Sequence, residues 1–209
     1  MAQEKAKETE NQRQWLSWIC DSKSIDDLRR KYNTWASTYD TDVEKDWEFM
    51  PGNIARTLSQ LLPQKESVIL DAGAGTGLVG EALAQKEYSN ITAVDLSEKM
   101  LAIAKEREVY KDLHQSNLED SQMFSNSVTF DAIIAGGVFA YAHAGVKVLN
   151  NLFCFLKEEG IFLLTIREDY RPQMQTALEG LPWTLVSEEH FPIYDEAKLM
   201  YLLAFKKDI

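Results

Sequence analysis

From residue 66 onward the chain alternates short apolar runs with segments of helical period. Val68–Leu70, Ile91–Val94, Phe130–Ala135 and Ile161–Ile166 read as buried strands, because apolar side chains dominate consecutive positions instead of alternating with polar ones. Helical periods cover Gly77–Gln85, Ser97–Arg107 and Gly145–Glu158, the last with Val146, Leu149, Phe153 and Leu156 on one face. Such an alternation predicts a parallel sheet covered by helices on both faces. The tail breaks the rhythm: Thr184–Val186 and Leu199–Phe205 are strand candidates with no helix between them. They predict a hairpin-like antiparallel edge that closes the sheet. Residues 1–50 hold no strand-like run. Leu28, Tyr32, Trp35 and Tyr39 fall at i, i+4, i+7 and i+11, one stripe of a helix that Ser24 would cap. A further helix follows Pro51 and Gly52, with Ile54, Leu58, Leu61 and Leu62 on its apolar side, and ends at Pro63. The fold expected is a doubly wound, mostly parallel α/β domain over residues 51–209. A helical extension over residues 1–50 precedes it. Its single apolar stripe is too little to build a separate core, so it must pack on the α/β domain.

Composition narrows the class. A length of 209 residues suits one domain, with or without an appendage, and 45% hydrophobic with 26% charged residues describes an ordinary globular chain. The balance of 22 Lys+Arg against 33 Asp+Glu gives −11, which argues against a nucleic-acid partner. Cys20 and Cys154 stand far apart with no CxxC or Cys/His cluster, which excludes a disulfide framework and a structural zinc site and points to a reducing compartment. The first residues carry no apolar core of a secretory signal, and the longest apolar stretch, Ala132 to Ala142, is too short to span a bilayer. The expectation is a soluble, cytoplasmic protein without membrane or metal.

The strongest chemical signal is Val68-Ile69-Leu70-Asp71-Ala72-Gly73-Ala74-Gly75-Thr76-Gly77, a strand that runs into a glycine-rich turn and opens a helix. Glycines let the backbone turn sharply and a ligand approach it, and the helix N-terminus offers free N–H groups. Gly75, Gly77 and Gly80 spell GxGxxG, the dinucleotide fingerprint, whereas no GK[ST] of a P-loop follows. Asp71 stands before the first glycine, where a carboxylate beside pyrophosphate would cost binding but would tolerate the cationic head of S-adenosylmethionine. Asp95 ends the strand Ile91–Val94, where an acid accepts hydrogen bonds from both ribose hydroxyls of either nucleoside cofactor. It also suits a helix cap at Ser97.

Taken together, residues 66–166 resemble the class I S-adenosylmethionine-dependent methyltransferases, with their acid-GxGxG motif at Asp71–Gly77 and a second motif at Asp95-Leu96-Ser97-Glu98-Lys99-Met100-Leu101. The third motif is looser: Asn117, in Gln115-Ser116-Asn117-Leu118, replaces the family's acid beside adenine. The fourth matches Thr129–Gly137, whose end faces the transferred methyl in that family. Lys31–Asp40 looks like the YDxWAxxYD segment of a subgroup that includes the Williams–Beuren-region methyltransferase-like protein and quinone-biosynthesis enzymes, in which it folds over the cofactor as a lid.

The resemblance implies a Rossmann-like seven-stranded sheet and S-adenosyl-L-methionine as cofactor. The contacts it implies come from Tyr32, Tyr39, Asp71, Gly73, Gly75, Asp95, Leu96, Met100, Asn117, Leu118 and Ala135. Gly136-Gly137-Val138-Phe139 stands where methylators of amide or exocyclic nitrogens carry (D/N)PP(Y/F), so a different small-molecule acceptor is expected. Arg167-Glu168-Asp169 reads as a solvated loop instead of a catechol-type metal site. His143, beside Tyr141 after the fourth strand, is the candidate base for a hydroxyl acceptor; a polar position at the start of the next helix is its bland alternative. His114 and His190 read as structural, and the YxxxK of Tyr194–Lys198 as coincidental without TGxxxGxG. The function expected is methyl transfer to a small molecule. The alternatives are an NAD(P)-dependent oxidoreductase, against which stand Asp71 and the lack of a second domain, and a cofactor-binding protein without turnover.

Overall fold

Three helices precede the first strand: α1 (Ile25–Trp35), α2 (Tyr39–Trp47) and α3 (Phe49–Leu61). They belong to a computed structural model that describes Trp15 and residues 17–125, 127–140, 144–193 and 198–209. Ser24 caps α1 as the sequence suggests, its hydroxyl accepting the Asp27 N–H at 3.1 Å. The predicted single stripe, however, is split between two helices. The chain turns at residues 36–38, so Tyr39 opens α2 and does not continue α1. No Gly or Pro marks the break. The Asp42 carboxylate stabilises it by accepting the Trp35 indole N–H at 2.8 Å and the Thr38 hydroxyl at 2.7 Å. Helix α3 starts two residues before Pro51, which sits in the first turn, where its missing N–H costs nothing.

The α/β part follows as β1 (Ile69–Ala72), α4 (Leu78–Ala84), β2 (Ile91–Asp95), α5 (Glu98–Glu106), β3 (Asp112–Gln115), β4 (Phe130–Phe139), α6 (Val146–Cys154), β5 (Leu156–Arg167), α7 (Arg171–Gly180), β6 (Trp183–Ile193) and β7 (Lys198–Lys207). They form a seven-stranded sheet in the order β3-β2-β1-β4-β5-β7-β6. Strands β1 to β5 pair in parallel, and β7 runs antiparallel between β5 and β6. The reversed strand therefore lies one place inside the edge, and β6 is the edge itself. Helix α6 stops at Cys154, short of the predicted Glu158, because Leu156 already pairs with Phe130 as the start of β5.

Strand alternation divides the core. Leu70, Ile133 and Ala135 point to the face covered by Leu149, Leu152, Met174 and Leu178 of α6 and α7. Ile69, Ala132 and Ile134 point to the opposite face, against Ile54 and Leu58 of α3 and Leu83 of α4. A smaller cluster, Ile19, Leu28, Trp35 and Val43, joins α1 and α2 and rests on Leu78 and Leu96 of the α/β part.

Candidate functional site

Behind β1 the backbone turns under β2. The N–H groups of Gly73 and Ala74 donate to the Val94 carbonyl, and Gly75 N–H donates to Asp95 Oδ2 at 2.9 Å. The other Asp95 oxygen accepts the Ser97 N–H at 2.8 Å. One carboxylate thus fastens the glycine turn to the start of α5. The helix cap itself is Ser97, whose hydroxyl accepts from Met100 N–H at 3.2 Å. Burial raises the pKa of Asp95, and the Ser97, Gly75 and Leu96 N–H groups oppose that rise. Gly75 holds φ of +56°, and a Cβ there would meet open space, so this backbone faces a cleft.

The cleft lies at the C-terminal ends of β1, β2 and β4 and encloses about 720 Å³, its open mouth included. Gly73 and Gly75 line one side; Asp95, Leu96, Met100, Asn117 and Leu118 line a second. Gly136, Gly137 and Val138 form the end of β4, with Ala144 and Val148 beyond them. Ile25, Leu28, Tyr32 and Tyr39 cover it from α1 and α2. Asn117 uses its amide oxygen in a local turn, accepting Glu119 N–H at 3.0 Å. Gly137 N–H donates to the Thr165 hydroxyl at 2.7 Å, which fixes the end of β4 against β5.

Two residues expected in this lining are elsewhere. Asp71 shares the face of Ile69 by strand alternation, is 1% exposed, and accepts a 2.6 Å hydrogen bond from the Tyr110 hydroxyl on the α4 side. Burial pushes its carboxyl up to about 7. Its charge therefore does not stand beside the ligand, and the argument against pyrophosphate built on it falls. Gly80, the third glycine of the literal GxGxxG, serves this pair: a Cβ there would lie 2.3 Å from the Tyr110 oxygen. Ala135 points into the α6/α7 core and is fully buried; its neighbour Gly136 reaches the cleft instead.

His143 and Tyr141 lie outside the described residues, as does Tyr194; Ala144, next to His143, lines the cleft. Lys198, the other half of the YxxxK, pairs with Asp169 at 2.7 Å. His114 meets the Phe124 ring edge-on and His190 packs near Tyr201. Among the described residues no group of His, Cys, Asp and Glu is placed to hold a metal, and no helix is long and apolar enough to cross a membrane. Sequence reasoning passed over Asn33, Asp40, Arg107 and Tyr110. Asn33 Oδ1 accepts from the Ser97 hydroxyl at 2.6 Å and Lys99 N–H at 3.3 Å, docking α1 on α5. Asn33 and Asp40 lie inside the quoted Lys31–Asp40 segment; Arg107 and Tyr110 carry no local signal.

A mostly parallel seven-stranded sheet with one reversed strand, a glycine turn after β1 and an acid ending β2 defines the class I methyltransferase fold. Residues 70–164 match the family model described as "Methyltransferase domain". Among curated relatives, the malonyl-[acyl-carrier protein] O-methyltransferase of Bacillus anthracis is 32% identical over 142 residues, 66% of this chain and 51% of that protein. Methyltransferase-like protein 27 of Homo sapiens is 29% identical over 167 residues, 75% of this chain and 68% of that one. The chain thus spans about half the length of the Bacillus relative. Among solved structures, the [4+2]-cyclase SpnF superposes with a TM-score of 0.71 at 13% identity, over 90% of this chain and 98% of that one.

Proposed function

We propose that the protein is an S-adenosylmethionine-dependent methyltransferase acting on a small organic acceptor. The observation that carries this reading is the cleft itself: a left-handed glycine turn, a braced carboxylate and an apolar slot meet at the strand ends of a methyltransferase domain. The residues fit the cofactor. Asp95 has lone pairs left for the ribose hydroxyls. Leu96, Met100 and Leu118 offer apolar walls to adenine, with Asn117 at their edge. Gly75 leaves space for the methionine end beside Gly73, and Tyr32 and Tyr39 cover it as part of a lid built from residues 1–50.

When bound, S-adenosylmethionine supplies an electrophilic methyl group to a nucleophilic acceptor. The chain's own contribution is to hold the partners in line and exclude water, an effect worth up to about 7–11 kcal/mol in well-oriented intramolecular models. On the acceptor side the described lining is glycine, aliphatic and tyrosine. The match to methyltransferase-like protein 27 supports placing the chain with the Williams–Beuren-region subgroup.

Calorimetric titration with S-adenosylmethionine, S-adenosylhomocysteine and NAD tests the reading. Micromolar binding of the adenosyl ligands without NAD binding is expected; saturable NAD binding alone overturns it.

A further inference from the structure

Arg107, just past the end of α5, joins three elements through one guanidinium. Its Nε donates to the Thr76 carbonyl in the glycine turn at 2.7 Å. One terminal nitrogen donates to Glu81 on α4, and the other to Asp40 Oδ2 on α2 at 2.5 Å. The second oxygen of Asp40 accepts the hydroxyl of Thr76, itself 1% exposed. The stem of Arg107 lies flat on the turn, since a Cβ on Gly77 would sit 3.1 Å from its Cδ. Asp40 is the neighbour of Tyr39, which lines the cleft, and Thr76 is the neighbour of Gly75, which lines it too.

Two carboxylates share one cation here, and they belong to different parts. Glu81 stays with the α/β part whatever α2 does; Asp40 leaves with α2. If α2 lifts, Arg107 keeps Glu81 and the Thr76 carbonyl, so its charge is not stranded, a situation that would otherwise be strongly unfavourable. We propose that Arg107 is a positioning residue for cofactor binding: it ties the Gly75 turn to the Tyr39-bearing helix, while Glu81, held by its other terminal nitrogen, is the partner it keeps when that tie opens. The proposal rests on the cleft being the S-adenosylmethionine site.

The two acids then act in opposite directions, although both are ion-pair partners of the same arginine. Removing the charge of Asp40 favours the undocked helix. Removing the charge of Glu81 takes away the partner that Arg107 keeps in the undocked state, and so favours docking. A merely structural ion pair gives no such opposition.

The test is calorimetric titration of S-adenosylhomocysteine into the full chain and its variants, with a thermal melt of each to confirm folding. Asp40→Asn is expected to weaken binding roughly five- to twentyfold, and Glu81→Gln to tighten it about two- to fivefold. The double variant Asp40→Asn/Arg107→Lys should bind no worse than about twofold below the weaker single variant, because both changes break one tie. If Asp40→Asn does not fold, Thr76→Val removes the hydroxyl bond to Asp40 and should also weaken binding. Shifts of the same sign for Asp40 and Glu81, or additive losses in the double variant, overturn the proposal. Asp95→Ala separates the two readings. If wild type fails to bind, or Asp95→Ala binds as wild type does, the cleft reading falls and the proposal with it; if Asp95→Ala binds weakly while the two acids shift alike, only the tie falls.

Discussion

The carboxylate of Asp95 accepts the Gly75 and Ser97 N–H groups, one on each oxygen. If Asp95 is the ribose acceptor proposed above, Asp95→Ala removes charge-assisted bonds worth about 1.5–3 kcal/mol each, so affinity for S-adenosylhomocysteine should fall at least tenfold by calorimetry. The loosened turn should also lower the melting temperature, an effect that a ribose acceptor without backbone partners would not show. Asp71 behaves differently. Its pKa rises from 3.8 to about 7, so between these values the folded state binds the proton that the unfolded state has lost. Stability is therefore full below about pH 4 and falls as pH rises toward 7, at about 1.4 kcal/mol per pH unit. Asp71→Asn keeps an oxygen for Tyr110 and removes this dependence. Urea unfolding at pH 5 and pH 8 should show wild type losing ground to the variant, and parallel profiles would refute it. The glycine turn and Asp95 were legible in the sequence because motif and spacing are local. The partner of the buried Asp71 was not, because it is Tyr110, 39 residues away.

Helices and strands differed in legibility for one reason: burial. Strands β1, β2, β4 and β5 are covered on both faces and read as apolar runs. Strand β3, Asp112–Gln115, is an exposed edge with one aliphatic side chain, and no pattern announces it. Strand β6 extends to Ile193 through Glu188 and Glu189, whose charges are held by Arg171 and Arg56 and not by water alone. The break between α1 and α2 was hidden because a side-chain network, not a glycine, makes it. These two helices meet the α/β part through Asn33 and Asp40, polar ties that can re-form, plus the small aromatic cluster around Trp35. As parts of the proposed lid they should open more readily than the sheet. Hydrogen exchange over residues 25–47 should slow when S-adenosylhomocysteine is added, while Phe130–Ala135 changes little. Full protection of 25–47 without ligand would make this segment a fixed part of the core.

At the scale of the molecule, the strand order explains where the cleft must be. The chain winds outward from β1 to β3, then returns to place β4 on the other side of β1. The loops leaving β1 and β4 diverge there, and ligands of open α/β sheets occupy that gap. Gly75 and Gly136 both face it. The remote half of the sheet, from β5 to β6, carries none of the described lining. The aromatic residues follow the same division, with an optical consequence. Trp15 stacks on Trp35 at 5.5 Å and meets Trp18 edge-on, and Trp47 packs on the same cluster, next to the tyrosines of the cleft. Trp183, the remaining one of five, stacks on Phe205 at 4.4 Å in the remote half. Four of the five tryptophans therefore sit beside the cleft, so their emission offers a readout of occupancy if the cleft binds the cofactor. Emission should change saturably with added S-adenosylhomocysteine, with the same midpoint as calorimetry. Trp183→Phe should keep that response, whereas Trp35→Phe should lose most of it.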